Sequence, residues 1–316
     1  MLHLTEAAVR SVLTMNDAIA LVEQGLRDLA CQLAVDVPRA RTRTPLGTLN
    51  ILQGAAPPAG VVGYKAYYST PNGSRSHIYL YDATSGEPLA LIEANGFNVI
   101  RTGAASGVAT RYLARGDSTI VGQIGAGRMG AGQLEAVCAV RAVCSARVYA
   151  RTRDRLEAFC REMSQRLDID VAPADSAEAA VRGAHVINVI TKSATPVLAG
   201  AWLEPGQHVN AAGSNLLTRR ELDADAVRRC DVVVVDSRET ARRESGDLLP
   251  LIESGARRWE GLPELGEIIT AARPGRIDHE QVSLYESHGM AIEDLYVAAK
   301  VLALARAQGL GRDLGA

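Results

Sequence analysis

No block of one charge runs through this chain. Its 34 basic and 36 acidic residues leave a formal charge of −2, and neither sign gathers into the run that marks a nucleic-acid or membrane-surface protein. No stretch approaches the roughly 18 consecutive apolar residues of a membrane span, and the opening MLHLTEAAVRSVLTMND holds Glu6 and lacks a sustained apolar leader core. A C-x-x-C pair is missing too. The five cysteines (Cys31, Cys138, Cys144, Cys160, Cys230) are odd in number, which suits reduced structural thiols in a cytosolic protein rather than a disulfide framework. The six histidines show no H-x-x-x-H spacing, so no metal site is expected. Neither a fixed-period repeat nor a low-complexity tract is present. These absences lead us to expect a soluble, unprocessed, cytoplasmic protein whose partner is a small molecule, with no role for nucleic acid or membrane.

The length of 316 residues exceeds the ~100 to 200 of a single domain, so two are expected. Ile19, Val22, Leu26 and Leu29 recur at helical spacing, with Thr14 and Asp17 placed as an N-cap and its third-position partner, which predicts one opening helix. From Leu46 to Ile92 short β-rich runs, TLNIL, VVGYKAYY, HIYLY and PLALI, alternate with turn clusters, the pattern of a mostly antiparallel sheet. A helix rich in small residues, NVIRTGAASGVATRYL, follows. At Ser118 the rhythm changes to strand alternating with helix: STIVGQI, ARVYA, HVINVI, HVNAAG and DVVVVD are the strands. That alternation predicts a parallel, doubly wound α/β sheet of Rossmann type beside an α+β domain. The segment RRESGDLLPLIESG reads as a surface helix or loop. A last helix carries Ile292, Leu295, Ala299 and Leu302 on one face, no strand is expected after it, and it is expected to return to the first domain. The expected boundaries are residues 1–116 with 292–316 for a substrate-binding and dimerisation domain, and 117–291 for the dinucleotide domain.

Gly125, Gly127 and Gly130 form G-x-G-x-x-G between an apolar strand and a helix, the context that the dinucleotide fingerprint requires. The first glycine permits a tight turn, the second a close approach to pyrophosphate, the third close packing of helix on strand, and the helix N-terminus favours the anion. About 20 residues on, an Asp or Glu would hold the ribose hydroxyls of NAD. The sequence there reads Tyr149, Ala150, Arg151, Thr152, Arg153. A guanidinium without a carboxylate favours a 2′-phosphate, so NADPH is expected, with NADH as the second choice. In the first domain, Lys65 stands inside VVGYKAYY. A cation in an apolar strand needs a counter-charge, and a carboxylate substrate is one candidate.

The strand with Lys65, the helix start RTGAASGVAT, the loop GAGRMG, the stretch VNAAGSNLLTRREL and the closing ESHGMAIEDLYVAAK together resemble the ornithine cyclodeaminase and mu-crystallin family over about residues 15 to 310. That resemblance implies an NAD(P)-dependent oxidoreductase acting on C–N or C=N bonds, a homodimer of two-domain subunits, and a small amino- or imino-acid substrate. It implies that Arg41 (with Arg39 as its rival) and Arg101 hold the substrate carboxylate and that Lys65 moves a proton at the reacting centre. Thr102, Gly125, Gly127, Arg128, Met129, Gly130, Arg151, Thr152, Thr191 and Gly289 are the implied cofactor-binding residues. His288 lies in a turn that the family brings near the nicotinamide, where it could relay a proton, although a simple loop histidine is the preferred reading. The cyclising deaminases of the family carry an aspartate after the fourth Rossmann strand, where this chain has Asn215. An amide there can only exchange hydrogen bonds. Asn215 and Lys65 are therefore the expected catalytic residues of a reductase of cyclic ketimine acids, such as pyrroline-2-carboxylate or piperideine-2-carboxylate, with an ornithine cyclodeaminase, an alanine-dehydrogenase-type or opine-type enzyme, and a mu-crystallin-like ligand-binding protein as the alternatives.

Overall fold

Thr5 and Thr14 each accept a backbone N–H from three residues ahead, and these caps start α1 (Glu6–Val12) and α2 (Met15–Ala30) after a short strand, β1 (Leu2–Leu4). Strand β1 and helix α1 precede the helix expected to open the fold. They are too short for a periodic signal. An antiparallel meander follows: β2 (Val35–Thr44), β3 (Gly47–Ala56), β4 (Val61–Thr70), β5 (Gly73–Asp82) and β6 (Pro88–Glu93). Helix α3 (Asn95–Leu113) comes next. The computed structural model describes residues 1–315. By contact, the chain divides into two units: Met1–Arg101 with the segment from Gly289 onward, and Thr102–His288.

The second unit holds β7 (Ile120–Ile124), α4 (Arg128–Val140), β8 (Ser145–Tyr149), α5 (Arg153–Leu167), β9 (Asp170–Pro173), α6 (Ala177–Val181), β10 (Val186–Val189), β11 (His208–Ala211), α7 (Ala224–Arg229), β12 (Val232–Val235), α8 (Arg238–Glu244), α9 (Leu249–Glu253), α10 (Leu265–Ile269) and β13 (Ser283–Glu286). Its sheet is parallel throughout, in the order β12-β13-β11-β10-β7-β8-β9. The order reverses between β7 and β10, the switch point at which such sheets take their ligands. Strands β9 and β13 were not expected from the sequence; with β9 counted, HVNAAG forms the fifth strand of the unit rather than the fourth. Each is only four residues long. The first boundary also falls at Arg101/Thr102 rather than after residue 116. The reason is that the rest of α3 packs within the second unit, with Gly103 lying against the carbonyl of Gly132 and Thr110 bonded to Asn210. The segment expected at the surface is exposed at its ends, at Arg242, Arg243 and Glu253, but buried in its middle: Glu244, Ser245 and Asp247 are each 2% exposed or less. Asp247 is drawn in because its Oδ1 accepts the backbone N–H groups of Glu221 and Leu222, at 2.7 Å each.

The chain returns to the first unit as α11 (Ala291–Ala307) and ends in β14 (Arg312–Asp313). That last strand pairs antiparallel with β1, contrary to expectation, and gives a seven-stranded sheet ordered β14-β1-β6-β5-β4-β3-β2. Its two residues leave no pattern to read. Every residue of α11 from Ala291 to Ala298 is buried, because the helix has α2 on one side and the sheet on the other. Tyr296 donates its hydroxyl to the buried carboxylate of Asp28 on α2, and Asp36 Oδ1 accepts the N–H of Ile292 at 3.0 Å. Among the described residues no helix is long and apolar enough to cross a membrane.

In the second unit a methyl group on Gly122 would collide with the carbonyl of Ala180 on α6. Gly122→Ala should therefore cost about 1–3 kcal/mol of stability through overpacking, read as a lowered midpoint in chemical denaturation.

Candidate active site

Alternation along β4 sends Val61, Gly63 and Lys65 to its buried side, so the lysine enters the interior by the rule that places its apolar neighbours there. Its counter-charge comes from the protein. Lys65 Nζ lies 2.9 and 2.7 Å from the two carboxylate oxygens of Asp294. The same carboxylate lies 2.9 Å from Arg101 Nε, and Arg101 Nη1 donates to Glu293 Oε2 at 2.7 Å. Arg39 is buried as well and donates to the carbonyl of Gly289 at 3.4 Å. Gly289 has φ +84, and a Cβ there would lie 3.2 Å from Arg101 Nη1 and 3.5 Å from Arg39 Nη2. The left-handed backbone favours glycine at this position, and the Arg101 guanidinium lies close beside it.

Burial pulls the Lys65 ammonium down to about 8, Arg101 adds to the fall, and Asp294 resists it. A lysine so placed can give up a proton near neutral pH, as an ordinary lysine cannot. Of the expected carboxylate-binding residues, Arg101 joins Lys65 directly. Arg39, the rival of Arg41, is also in the cluster. Arg41 is half-buried and stands opposite Asn50, which stands opposite Tyr67, a rung of the sheet near that of Lys65. The sequence reading missed Glu293 and Asp294 as functional groups. Two adjacent acids inside the otherwise apolar AIEDLYVAA were the available signal.

In the second unit the glycine loop has the features of a pyrophosphate cradle. Gly125 has φ +119 and faces the Ile190 carbonyl, which leaves no room for a side chain. A Cβ on Gly130 would lie 2.6 Å from the Gly125 carbonyl oxygen and 2.9 Å from Gln123 Nε2, whereas one on Gly127 would meet nothing within 4 Å. Gly127 caps α4 without a side-chain hydrogen bond, and the first turn has no acid, so the positive end of the helix suits an anion. These residues fit a dinucleotide. In that turn Arg128 is exposed and Met129 half-buried. At the end of β8, Arg151 and Thr152 are exposed, while Arg153 is taken up by Glu157 at 2.7 Å and Asp175 at 3.4 Å. Thr102 gives its carbonyl to Gln133 Nε2 at 3.2 Å. Thr191 is committed elsewhere: its N–H and hydroxyl both donate to Glu221 Oε1 at 2.6 Å.

Sequence reasoning also missed a group of buried acids here. Glu221, Asp236, Glu244, Asp247 and Glu286 are each 2% exposed or less. Burial pushes Glu221 up to about 7 and Asp247 to about 6, and Glu286 rises well above the usual carboxylate range through burial, then through Asp247 and Glu221. His288 lies in a loop but is buried. Its Nδ1 lies 3.2 Å from Asp236 Oδ1, and its Nε2 lies 3.6 Å from Glu286 Oε2. Among the described residues no group of three or more His, Cys, Asp or Glu is arranged to hold a metal ion. Asn215 is half-buried in the loop after β11.

A parallel sheet with a glycine loop at its switch point places this unit among the Rossmann dinucleotide-binding folds. The sequence profile described as the Ornithine cyclodeaminase/mu-crystallin family matches residues 2–308, and the chain belongs to that family. It is 31% identical to the Delta(1)-pyrroline-2-carboxylate reductase of Bacillus cereus over 332 aligned positions, covering 99% of each chain. It is 35% identical to the ketimine reductase mu-crystallin of Mus musculus, covering 84% of this chain and 82% of that one. Among solved structures, the Thermococcus litoralis Delta(1)-pyrroline-2-carboxylate reductase in complex with NADH and L-proline is similar with a TM-score of 0.96 and 33% identity, covering 99% of this chain and 100% of that one.

Replacing Asp294 by Asn would leave Lys65 without its carboxylate and Arg101 short of one. Breaking a buried pair from one side costs roughly 3–5 kcal/mol. Asp294→Asn should therefore unfold at distinctly lower urea than the parent, whereas Asp313→Asn, at an exposed pair with the N-terminus, should not.

Proposed function

We propose that this protein is an NAD(P)H-dependent reductase of small cyclic ketimine acids, pyrroline-2-carboxylate or piperideine-2-carboxylate, giving L-proline or L-pipecolate. The observation that carries the reading is a buried lysine near pKa 8, fixed by Asp294 beside Arg101. The names of the relatives in Bacillus cereus, Thermococcus litoralis and Mus musculus support it.

A guanidinium has five N–H donors, so Arg101 can keep Glu293 and Asp294 and still meet a ligand carboxylate. Arg41, half-buried, takes the other side of that carboxylate, while Arg39 fixes the Gly289 turn. The dihydronicotinamide, when bound, supplies two electrons and a proton equivalent to C2 of the imine. Lys65 gives the ring nitrogen its proton and recovers one from water, so the C=N bond becomes H–C–N–H with charge balanced. Asp294 keeps the ammonium in place through this transfer. Asn215 contributes hydrogen bonds and no base, which favours imine reduction over deamination of an amine. The glycine loop, Arg128, Met129 and the start of α4 take the pyrophosphate, with Thr102 as a further cofactor contact. Arg151 and Thr152 favour the 2′-phosphate of NADPH, because the end of β8 offers an exposed guanidinium and no carboxylate. Val35, Val37 and Leu46 are exposed on and beside β2, the edge strand of the first sheet. Covering them in a homodimer would remove an apolar edge from water. A cytoplasmic location completes the reading.

Proton donation by Lys65 requires its charged form, so kcat/KM for pyrroline-2-carboxylate should fall as pH rises through about 8. Lys65→Met should lower kcat at least about 100-fold. Turnover of pyruvate plus ammonia in preference to the cyclic imine, or release of proline and ammonia from ornithine with catalytic NAD, would overturn the assignment. For the cofactor, titration with both nucleotides should show tighter NADPH, and Arg151→Ala should reduce that preference about tenfold, as expected for one lost charge-assisted contact. Equal affinities before and after the substitution would refute it.

A further inference from the structure

Three strands of the parallel sheet each place an amide where a core residue is expected. The register sets Gln123 on β7 against Asn188 on β10, and Asn188 against Asn210 on β11. His208, two residues before Asn210, stands on the same side and opposite Ser283 on β13. All four side chains are completely buried. Amides buried without partners are costly, and here each meets the next. Asn210 Nδ2 donates to Asn188 Oδ1 at 3.0 Å, Asn188 Nδ2 to Gln123 Oε1 at 3.3 Å, and Gln123 Nε2 to the carbonyl of Gly125 at 2.9 Å. Burial drives His208 down to about 3, so its ring is neutral and carries one proton. Its Nε2 lies 3.0 Å from Asn210 Oδ1, which can only accept. Nε2 is therefore the protonated nitrogen, and the chain of donors runs one way, from His208 through Asn210, Asn188 and Gln123 to Gly125. Hydrogen bonds in series polarise one another in the same sense.

The end of this chain is the first glycine of the loop. The Gly125 N–H is already given to the carbonyl of Tyr149 at 2.8 Å, and Gln123 fixes the carbonyl. In a trans peptide the C=O and N–H point in opposite directions, so drawing the Gly125 oxygen towards Gln123 turns the N–H of Ala126 the other way. Gln123 Nε2 also lies only 2.9 Å from where a Cβ on Gly130 would stand. The first and third glycines of the fingerprint are thus both fitted to one buried side chain.

We propose that His208, Asn210, Asn188 and Gln123 form a one-directional hydrogen-bond relay across the sheet that holds the glycine loop in its phosphate-binding pose. They are positioning residues, acting on the dinucleotide through the Gly125 carbonyl. The inference rests on the reading that this loop binds the cofactor.

The test measures dissociation constants for NADH and NADPH by fluorescence titration, and the unfolding temperature, in four variants. Gln123→Met, similar in size and without the amide, should weaken both nucleotides about tenfold and by equal factors, because the pyrophosphate is common to them; kcat at saturating cofactor should stay within about threefold. Asn188→Leu cuts the relay one link earlier and should act in the same direction; it decides the matter if Gln123→Met does not fold. Thr110→Val removes only the side branch from Asn210 Nδ2, so it should lower the unfolding temperature without moving either constant. A folded Gln123→Met or Asn188→Leu that binds both nucleotides as the parent does would overturn the relay, as would Thr110→Val weakening them equally. Gly127→Val separates the two levels. If it leaves nucleotide affinity unchanged, the loop is not the cofactor site and the underlying reading fails. If it abolishes binding while the relay variants bind normally, the relay alone is wrong.

Discussion

A lysine and an arginine kept charged inside a protein need carboxylates at bonding distance, and in the first unit one turn of α11 provides them. Asp294 meets both Lys65 and Arg101, and Glu293 adds a second contact to Arg101. The helix reaches that place because its remaining faces are apolar enough to be enclosed by α2 and the sheet. The chain therefore has to leave the first unit, build the second, and return before Lys65 has its counter-ion. A discontinuous unit follows from that requirement.

The pair also shows how stability and chemistry are linked. Water would hold the ammonium near its ordinary value; burial lowers it, and Asp294 stops the fall near 8. A purely apolar setting would neutralise the lysine, and an exposed one would keep its proton too tightly for donation near neutral pH. Arg39 and Arg101 fix the surroundings of Gly289 and add positive charge, which helps a carboxylate ligand and lowers the lysine further.

The second unit solves a different problem, that of keeping a loop of small residues in one conformation. Glycines permit the turn but do not enforce it, since they lose more conformational freedom than other residues on folding. The enforcement comes from outside the loop, through the Tyr149 carbonyl and the Gln123 amide. Polar side chains in the centre of a parallel sheet would ordinarily weaken it, yet here they align in register and satisfy one another.

Much was legible in the chain alone. The meander from β3 to β6, the glycine fingerprint, Lys65 and Arg101, and the family were all carried by local pattern: alternation, turn residues and contiguous motifs. Short elements such as β1, β9, β13 and β14 escaped because, unlike the equally short VINV and VVVV, they form no continuous apolar run, and pairing with distant strands is what makes them strands. Of the buried acids, Asp247 lay in a segment expected at the surface and Glu221 and Glu286 were not singled out, because a sequence lists charges without saying which groups will enclose them. The sequence thus determined which groups are available: one lysine in an apolar strand, arginines near it, glycines where a backbone must come close. Only the tertiary structure decided their partners and hence their chemistry, since Lys65 and Asp294 are 229 residues apart, and a proton affinity depends on distance through space rather than along the chain.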